Sequence, residues 1–392
     1  MDEKIVKIEL TKVFMPFSEE VKGHMRNSSN GLGMALASEE AWLGGDFVIC
    51  QLETSSGYVG TSEAFVWLPE TGVSPDQLID TIKCNLGQYV LNESPFQVAA
   101  IRERMERNIT RNEVAKGLID SACYDLQARI LNVRVADLLG GAQREHIPLT
   151  ALIPLMNDID SIIGLAQMFK EQGHRSFRFK LGENLLKDEA IIKSARSALG
   201  DEVKIRVDYN QAYSIADAVK SINLIGQYNI EVVEQACKAD HFIAMREIQS
   251  RISVPTIAHE GCFSLQDIYH LGDMGAIEAV GLNAERPGGL SNAVRAIHYA
   301  EQKGFGVVMH NQPLGLGSAW QLHLGSAFYS SLQYEMELFG QIMMEHDLLK
   351  QPLEYRDGGV CLPKGPGFGV EIDPCALKEY STAPTVRIEA SA

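Results

Sequence analysis

Seven polar residues of this 392-residue chain stand at the ends of short apolar runs, at nearly constant spacing. Lys180 ends Ser-Phe-Arg-Phe-Lys, Asp208 ends Ile-Arg-Val-Asp, Glu234 ends Glu-Val-Val-Glu, and Glu260 follows Pro-Thr-Ile-Ala-His. Asn283, His310 and Glu337 close the next three runs. The intervals are 28, 26, 26, 23, 27 and 27 residues. Each is the length of one strand, one helix and their loops. Functional groups at successive strand ends are the mark of a parallel (β/α) barrel, whose site lies at the C-terminal ends of the strands. Three carboxylates in that register, Asp208, Glu234 and Glu260, are the ligand type a hard divalent cation takes. Lys180 is a candidate base, and strand alternation sets Arg178 on its face, where a guanidinium could grip a carboxylate.

The elements that must position these residues are legible in outline. From Ile147 onward eight strand-like runs, 147–153, 176–181, 203–208, 230–234, 254–258, 277–283, 305–310 and 334–339, alternate with helical segments including 161–172, 188–199, 215–225, 265–273, 291–303 and 319–329. Before them, 5–14, 47–53 and 58–63 read as strands, the last two joined by a Thr-Ser-Ser-Gly turn. Helices are expected over 75–130, one opened by Ser74-Pro75 and one over 112–131 with apolar residues every fourth position. The fold class expected is therefore α/β, a parallel barrel of eight strands with an α+β unit over the first 130 residues before it. The stretch from about Pro366 ends in a strand, Gly-Phe-Gly-Val-Glu-Ile-Asp, that could rejoin that first unit. The Gly-, Ser- and Asn-rich stretch 18–45 carries His24 and Arg26, which could reach a ligand.

Composition narrows the partners. A net charge of −16 argues against nucleic acid or an anionic membrane. An anionic substrate would then need a local cation, which a bound metal with nearby Lys and Arg would supply. Seven scattered cysteines without a CxxC pair read as reduced thiols. The first residues hold no apolar signal core, and no run is long enough to span a membrane. A cytoplasmic protein is expected.

Taken in order, further motifs become recognisable. Ser-Ala-Cys-Tyr-Asp-Leu-Gln-Ala-Arg (121–129) and Val-Ala-Asp-Leu-Leu-Gly-Gly (135–141) precede Phe177-Arg-Phe-Lys-Leu-Gly182, Val207-Asp-Tyr-Asn210, Val233-Glu-Gln, His259-Glu-Gly, Pro287-Gly-Gly-Leu-Ser-Asn and Pro366-Gly-Phe-Gly-Val-Glu-Ile-Asp. This series resembles the enolase superfamily, in its mandelate racemase/muconate lactonising branch, along essentially the whole chain. The resemblance implies an α+β capping domain over 1–130, a (β/α)7β TIM-like barrel over 131–365 and a tail over 366–392 that returns to the cap. It implies Mg2+ and abstraction of a proton α to a carboxylate through a metal-held enediolate, a pairing of base and Mg2+ known for this superfamily. It also implies a symmetric homo-oligomer.

Three positions depart from the family pattern. Arg178 replaces the first Lys of a Lys-x-Lys strand. At the fifth strand one branch places Asp where this chain has His259, and another places its ligand where this chain has Glu260, so either could coordinate. Glu260 suits Mg2+ and His259 suits a transition metal. Asn283 stands where lactonising-type members carry Lys and racemase-type members carry Asp. His310 matches the racemase-type His without its Asp partner, and Glu337, with Glu335 on the same face, matches a position that hydrogen-bonds the substrate carboxylate. One base, Lys180, and one acid, His310, meet the needs of dehydration more easily than those of epimerisation. The expectation is thus Mg2+-dependent dehydration of a sugar acid. A racemase or epimerase of a hydroxy acid or amino-acid derivative is the alternative, then a cycloisomerase, and outside enzymes a silent metabolite-binding barrel.

Overall fold

The computed structural model describes residues 3–19, 21–22, 43–156, 158–311 and 313–390, with Pro69, His310 and Asn311 described by their backbone alone. Strands β1 (Ile5–Pro16), β2 (Gly44–Thr54) and β3 (Val59–Phe65) form an antiparallel meander. Helices α1 (Pro75–Thr81), α2 (Val98–Asn108) and α3 (Glu113–Leu131) pack against it over a core that includes Ile8, Leu52, Leu118 and Leu126. The start of α1 is read correctly from sequence. Ser74 accepts the Gln77 N–H and the Gln77 side chain accepts the Ser74 N–H, a reciprocal cap. The spacing of α3 predicts one apolar stripe, yet most of its faces are buried, because it lies between the cap sheet and the barrel.

The chain then crosses β4 (His146–Pro148) into the barrel. Its strands are β5 (Thr150–Ile153), β6 (Ser176–Lys180), β7 (Lys204–Asp208), β8 (Ile230–Glu234), β9 (Thr256–Ala258), β10 (Ala279–Leu282), β11 (Gly306–Asn311) and β12 (Glu337–Leu338), hydrogen-bonded in chain order. Every adjacent pair among them is parallel. The Thr150 N–H donates to Met336 O and closes the ring. Between the strands run α4 (Ile159–Glu171), α5 (Leu185–Leu199), α6 (Ile215–Gly226), α7 (Phe242–Gln249), α8 (Leu265–Asp273), α9 (Leu290–Lys303) and α10 (Gly315–Ala327).

Three expectations need correction. The run 147–153 is not one strand. Residues 146–148 pair with β14 (Gly359–Cys361), which also pairs with β13 (Tyr355–Arg356), in a separate small sheet. The backbone donors change sheets at this point, since the Leu149 N–H goes to Gly358 O and the Thr150 N–H to Met336 O. Pro148, with no N–H, marks the junction. Helix α7 was not anticipated. It is eight residues long and buries only Ala244, Met245 and Ile248, too short a pattern to stand out. The strand that rejoins the cap is β15 (Val386–Glu389), antiparallel to β1, not the expected segment around 366–373. Helix α11 (Pro374–Tyr380) precedes it. Among the described residues no helix is long and apolar enough to cross a membrane.

Buried acidic groups fasten cap to barrel by accepting backbone N–H groups. Glu63 of β3 accepts from Leu314 at 2.6 Å and Gly317 at 3.1 Å, where α10 begins. Burial pushes its carboxyl up to about 8, against the lowering effect of those two donors. Asp125 accepts from Thr61 and Phe368, and Asp120 from Ser291. Glu285, beyond β10, accepts the Phe65 N–H at 2.7 Å.

Backbone approaches backbone along this seam between Gly117 of α3 and the Gly288-Gly289 turn. A Cβ on Gly117 would meet Gly288 C at 2.7 Å and Gly288 Cα at 2.9 Å, both backbone atoms. Gly117→Ala is therefore expected to destabilise the protein by about 1–3 kcal/mol, the usual cost of overpacking. A urea titration read by circular dichroism measures it, and a loss indistinguishable from zero would mean that the seam gives way freely.

Candidate active site

Register assembles the site. Lys180 pairs with Asp208, and Asp208 with Glu234, so three successive strand ends finish at one level. The chain leaves β7 and β8 through left-handed residues, Asn210 and Gln211 (φ 42° and 66°) and Gln235 (φ 38°). These turns aim polar side chains back over the mouth. Strand β9 ends at Ala258, and His259 and Glu260 follow in the turn beyond it. Asn283 lies just past β10, while His310 pairs with Glu337 across β11 and β12.

Arg178 is the hub. Its Nη1 donates to Asp208 Oδ2 at 3.0 Å and to Glu234 Oε2 at 2.9 Å, and its Nε lies 3.0 Å from Glu337 Oε2. The Phe339 ring lies 5.1 Å away, within reach of a cation–π contact. A bidentate grip on a substrate carboxylate, as expected for Arg178, would require these partners to release it. Glu337 is wholly buried between Arg178 and Arg206. Burial and the neighbouring charge of Arg178 push the Arg206 guanidinium down to about 10.

Lys180 points differently. Its ammonium donates to Asp208 Oδ2 and to Asn210 Oδ1, each at 2.6 Å. Its side chain keeps 11% exposure, against 5% for Arg178 and 1% for Asp208. Among these three, it is the one a substrate in the mouth can touch.

The carboxylates show the strain of shared burial. Burial and the charge of Asp208 push Glu234 up to about 7, against the lowering effect of Arg178. Burial and Asp208 likewise raise Glu260. Burial would raise Asp208 too, but Lys180 and Arg178 outweigh it and hold its carboxyl below the ordinary value. Glu234, His259 and Glu260 offer ligand atoms within 4.8 Å of one another. Glu260 Oε2 is buried without a hydrogen-bond partner among the described residues. An orphaned buried oxygen beside a second carboxylate, Glu234, fits a hard cation. Asp208, expected in the metal set, is not one of this cluster: its Oδ2 accepts from Arg178 and Lys180.

Most residues expected from the sequence therefore do converge: Lys180, Arg178, Asp208, Glu234, Glu260, His259, Asn283 and Glu337. His24, Arg26 and the His310 side chain lie outside the described residues. Asn210 stood in the sequence only as part of the Val207-Asp-Tyr-Asn210 motif, without a role, and sequence reasoning missed Arg206, Arg286, Gln211 and Glu70. Arg206 had a signal, since it precedes Asp208 by two as Arg178 precedes Lys180. Gln211 donates to Glu260 Oε1 at 3.3 Å. Arg286 pairs with Glu70 of the cap at 2.9 Å and reaches His259. Nothing local in Glu-Arg-Pro-Gly-Gly announces that reach.

Cations and carboxylates thus gather at the mouth of a parallel barrel under an α+β cap, with Lys180 at the rim, and that is the layout of a barrel enzyme. The chain belongs to the mandelate racemase / muconate lactonizing enzyme family of the enolase superfamily. Residues 30–140 match its N-terminal domain, and residues 162–376 match the enolase C-terminal domain-like family. It is 32% identical to a chloromuconate cycloisomerase of Cupriavidus necator, over 86% of this chain and 92% of that one. It is 28% identical to an N-succinyl-L-Arg/Lys racemase of Bacillus cereus, over 85% and 90%. A muconate lactonizing enzyme from Pseudomonas fluorescens, solved with muconolactone, superposes with TM-score 0.87 at 26% identity, covering 97% of this chain and all of that one. The Bacillus cereus racemase structure gives the same TM-score, over 98% and 100%. These relatives are isomerases, so the dehydratase subtype expected from the sequence finds no support among them.

Arg178→Met would leave Asp208, Glu234 and Glu337 without their shared cation. The expected loss is about 3–5 kcal/mol, the usual cost of stripping one partner from a buried ionic cluster. Urea unfolding in EDTA tests this. A loss under about 1 kcal/mol would mean that Lys180 and Arg206 already neutralise the carboxylates.

Proposed function

We propose that this protein is an isomerase that transfers one proton at the carbon α to a substrate carboxylate, in a cycloisomerisation. The observation that carries the reading is the placement of Lys180, accessible at the mouth and held by Asp208 and Asn210. Lys180 would give or take the α-proton on one face of the substrate. Asp208, Glu234 and Glu260 would hold Mg2+, which when bound stabilises negative charge on substrate carboxylate oxygens. Arg178 and Arg206 would keep the carboxylate ring from repelling an anionic substrate, and the buried mouth would exclude water. The substrate is a small carboxylate, and a symmetric homo-oligomer without nucleic-acid or membrane partners belongs to the same proposal.

The proton count favours cycloisomerisation. Ring closure by addition of an internal nucleophile to a conjugated double bond needs one proton delivered at the α-carbon. Racemisation needs a second acid-base group on the opposite face. Asn283 cannot supply it. The chloromuconate and muconate cycloisomerases among the relatives support this choice. Racemisation is the second reading. It is favoured by the racemase relative and by His310, whose backbone ends β11 in register with Glu337.

The test is incubation with Mg2+ in D2O against muconates, muconolactones and N-acyl amino acids, read by NMR. Cycloisomerisation predicts one stereospecific deuterium and an interconverted ring. Racemisation predicts α-deuterium with loss of optical activity. A 2-keto product from acid sugars would restore dehydration and overturn both. Lys180→Ala is expected to lower turnover by about 10²–10⁴-fold, the usual share of general acid–base catalysis.

A further inference from the structure

His259 is one of three residues whose ligand atoms cluster within 4.8 Å, and by composition alone it competes with Glu260 for a metal. The hydrogen bonds at the far side of its ring decide between them. His259 Nε2 lies 2.8 Å from Arg286 Nη2 and 3.3 Å from Asn283 Nδ2. A guanidinium has donors only. The Asn283 amide is oriented by its other end, where Oδ1 accepts the Arg286 N–H at 2.7 Å, so Nδ2 must face the imidazole. Two donors converge on one ring nitrogen, which can carry no proton. Flipping the ring would set a C–H against the guanidinium, which is worse.

The other nitrogen therefore carries the proton. Nδ1 lies 3.6 Å from Glu234 Oε1 and 3.7 Å from Glu260 Oε2. A neutral imidazole binds a metal through its unprotonated nitrogen. Here that nitrogen faces Arg286, and the one facing the carboxylates is an N–H.

We propose that Arg286 and Asn283 lock His259 as its Nδ1–H tautomer, making it a positioning residue that presents an N–H to Glu234 and Glu260 and leaving the cation an all-oxygen site. This rests on the metal-binding part of the proposed function. Arg286 is itself anchored from two sides. Its Nη1 donates to His259 O at 3.2 Å, and its Nη2 pairs with Glu70 of the cap. The cap thus reaches the ligand shell through Glu70, Arg286 and His259. Outer-shell partners of this kind orient the groups that hold a metal.

Two measurements decide the matter separately. In metal-free protein carrying 15N-histidine, long-range 1H–15N correlation should give His259 a protonated Nδ1 and an unprotonated Nε2. The reverse pattern would overturn the tautomer. In protein loaded with Mn2+, electron spin-echo modulation should lack a directly bonded nitrogen, and a strong 14N coupling abolished by His259→Gln would overturn the all-oxygen site. If Mn2+ does not bind at all, the metal reading fails, while the 15N spectrum still decides the tautomer. Arg286→Met removes the stronger donor and lets the proton move to Nε2. That variant should gain about tenfold or more in Zn2+ affinity relative to Mg2+. An unchanged Zn2+/Mg2+ ratio in folded Arg286→Met would count against Arg286 as the lock.

Discussion

Everything at the barrel mouth depends on the balance of charge taken out of water there. Asp208, Glu234, Glu260 and Glu337 are all buried, and isolated carboxylates in that position would be costly. Arg178 and Arg206 are buried among them, and Lys180 stands at the rim. A planar guanidinium can serve several carboxylates at once through separate N–H groups, which an ammonium on a flexible stem does less well. Arg178 does so with Asp208, Glu234 and Glu337. The departure from the family's Lys-x-Lys strand therefore has a local cause: three partners sit at different angles, and Arg meets them all.

That ring also divides the roles of the two cations on β6. Arg178 is enclosed, and its neighbours are protein carboxylates. Lys180, two residues on, rises past the end of the strand and keeps a share of solvent. The same alternation that made both visible in the sequence sets one beneath the other. Above them the cap is held to the barrel by carboxylates accepting backbone N–H groups, Glu63 at the start of α10 and Glu285 at Phe65. A buried apolar cluster joins the same two parts, with Phe47, Phe65 and Trp67 of the cap packed with Leu314, Phe339 and Leu348 beyond the barrel strands.

Much of this was legible in the chain because a barrel repeats. Once the strand ends recur at intervals of 23 to 28 residues, the polar residue at each end is marked as part of one rim. What was not legible lies where neighbours distant in sequence decide. Residues 147–153 form an unbroken apolar run, and only the competing acceptors Gly358 O and Met336 O divide it between two sheets. Helix α7 is too short for periodicity to declare it. The dehydratase reading lacks support for a related reason. Counting one base and one acid pointed to dehydration, but that count assumed a role for His310 that spacing alone does not supply, whereas the relatives are isomerases.

The two remaining departures, His259 and Asn283, are best understood together. A family pattern with Asp at the first position and Lys at the second places one negative and one positive charge there. His and Asn remove both, so the net charge of the two positions is unchanged, and in this chain they meet through His259 Nε2 and Asn283 Nδ2 at 3.3 Å. Neutral partners alone would leave the imidazole free to choose its tautomer. Arg286 and its counter-ion Glu70 add a cation and an anion outside that pair, again without net charge, and point the cation at Nε2. The Lys absent at 283 is thus not replaced as an acid or base. Asn283 accepts the Arg286 N–H through Oδ1 and donates through Nδ2, tying the β10 turn to the β9 turn. The residue that stands where a second base would be and the residue at the fifth strand end are thus held by one set of contacts through Arg286.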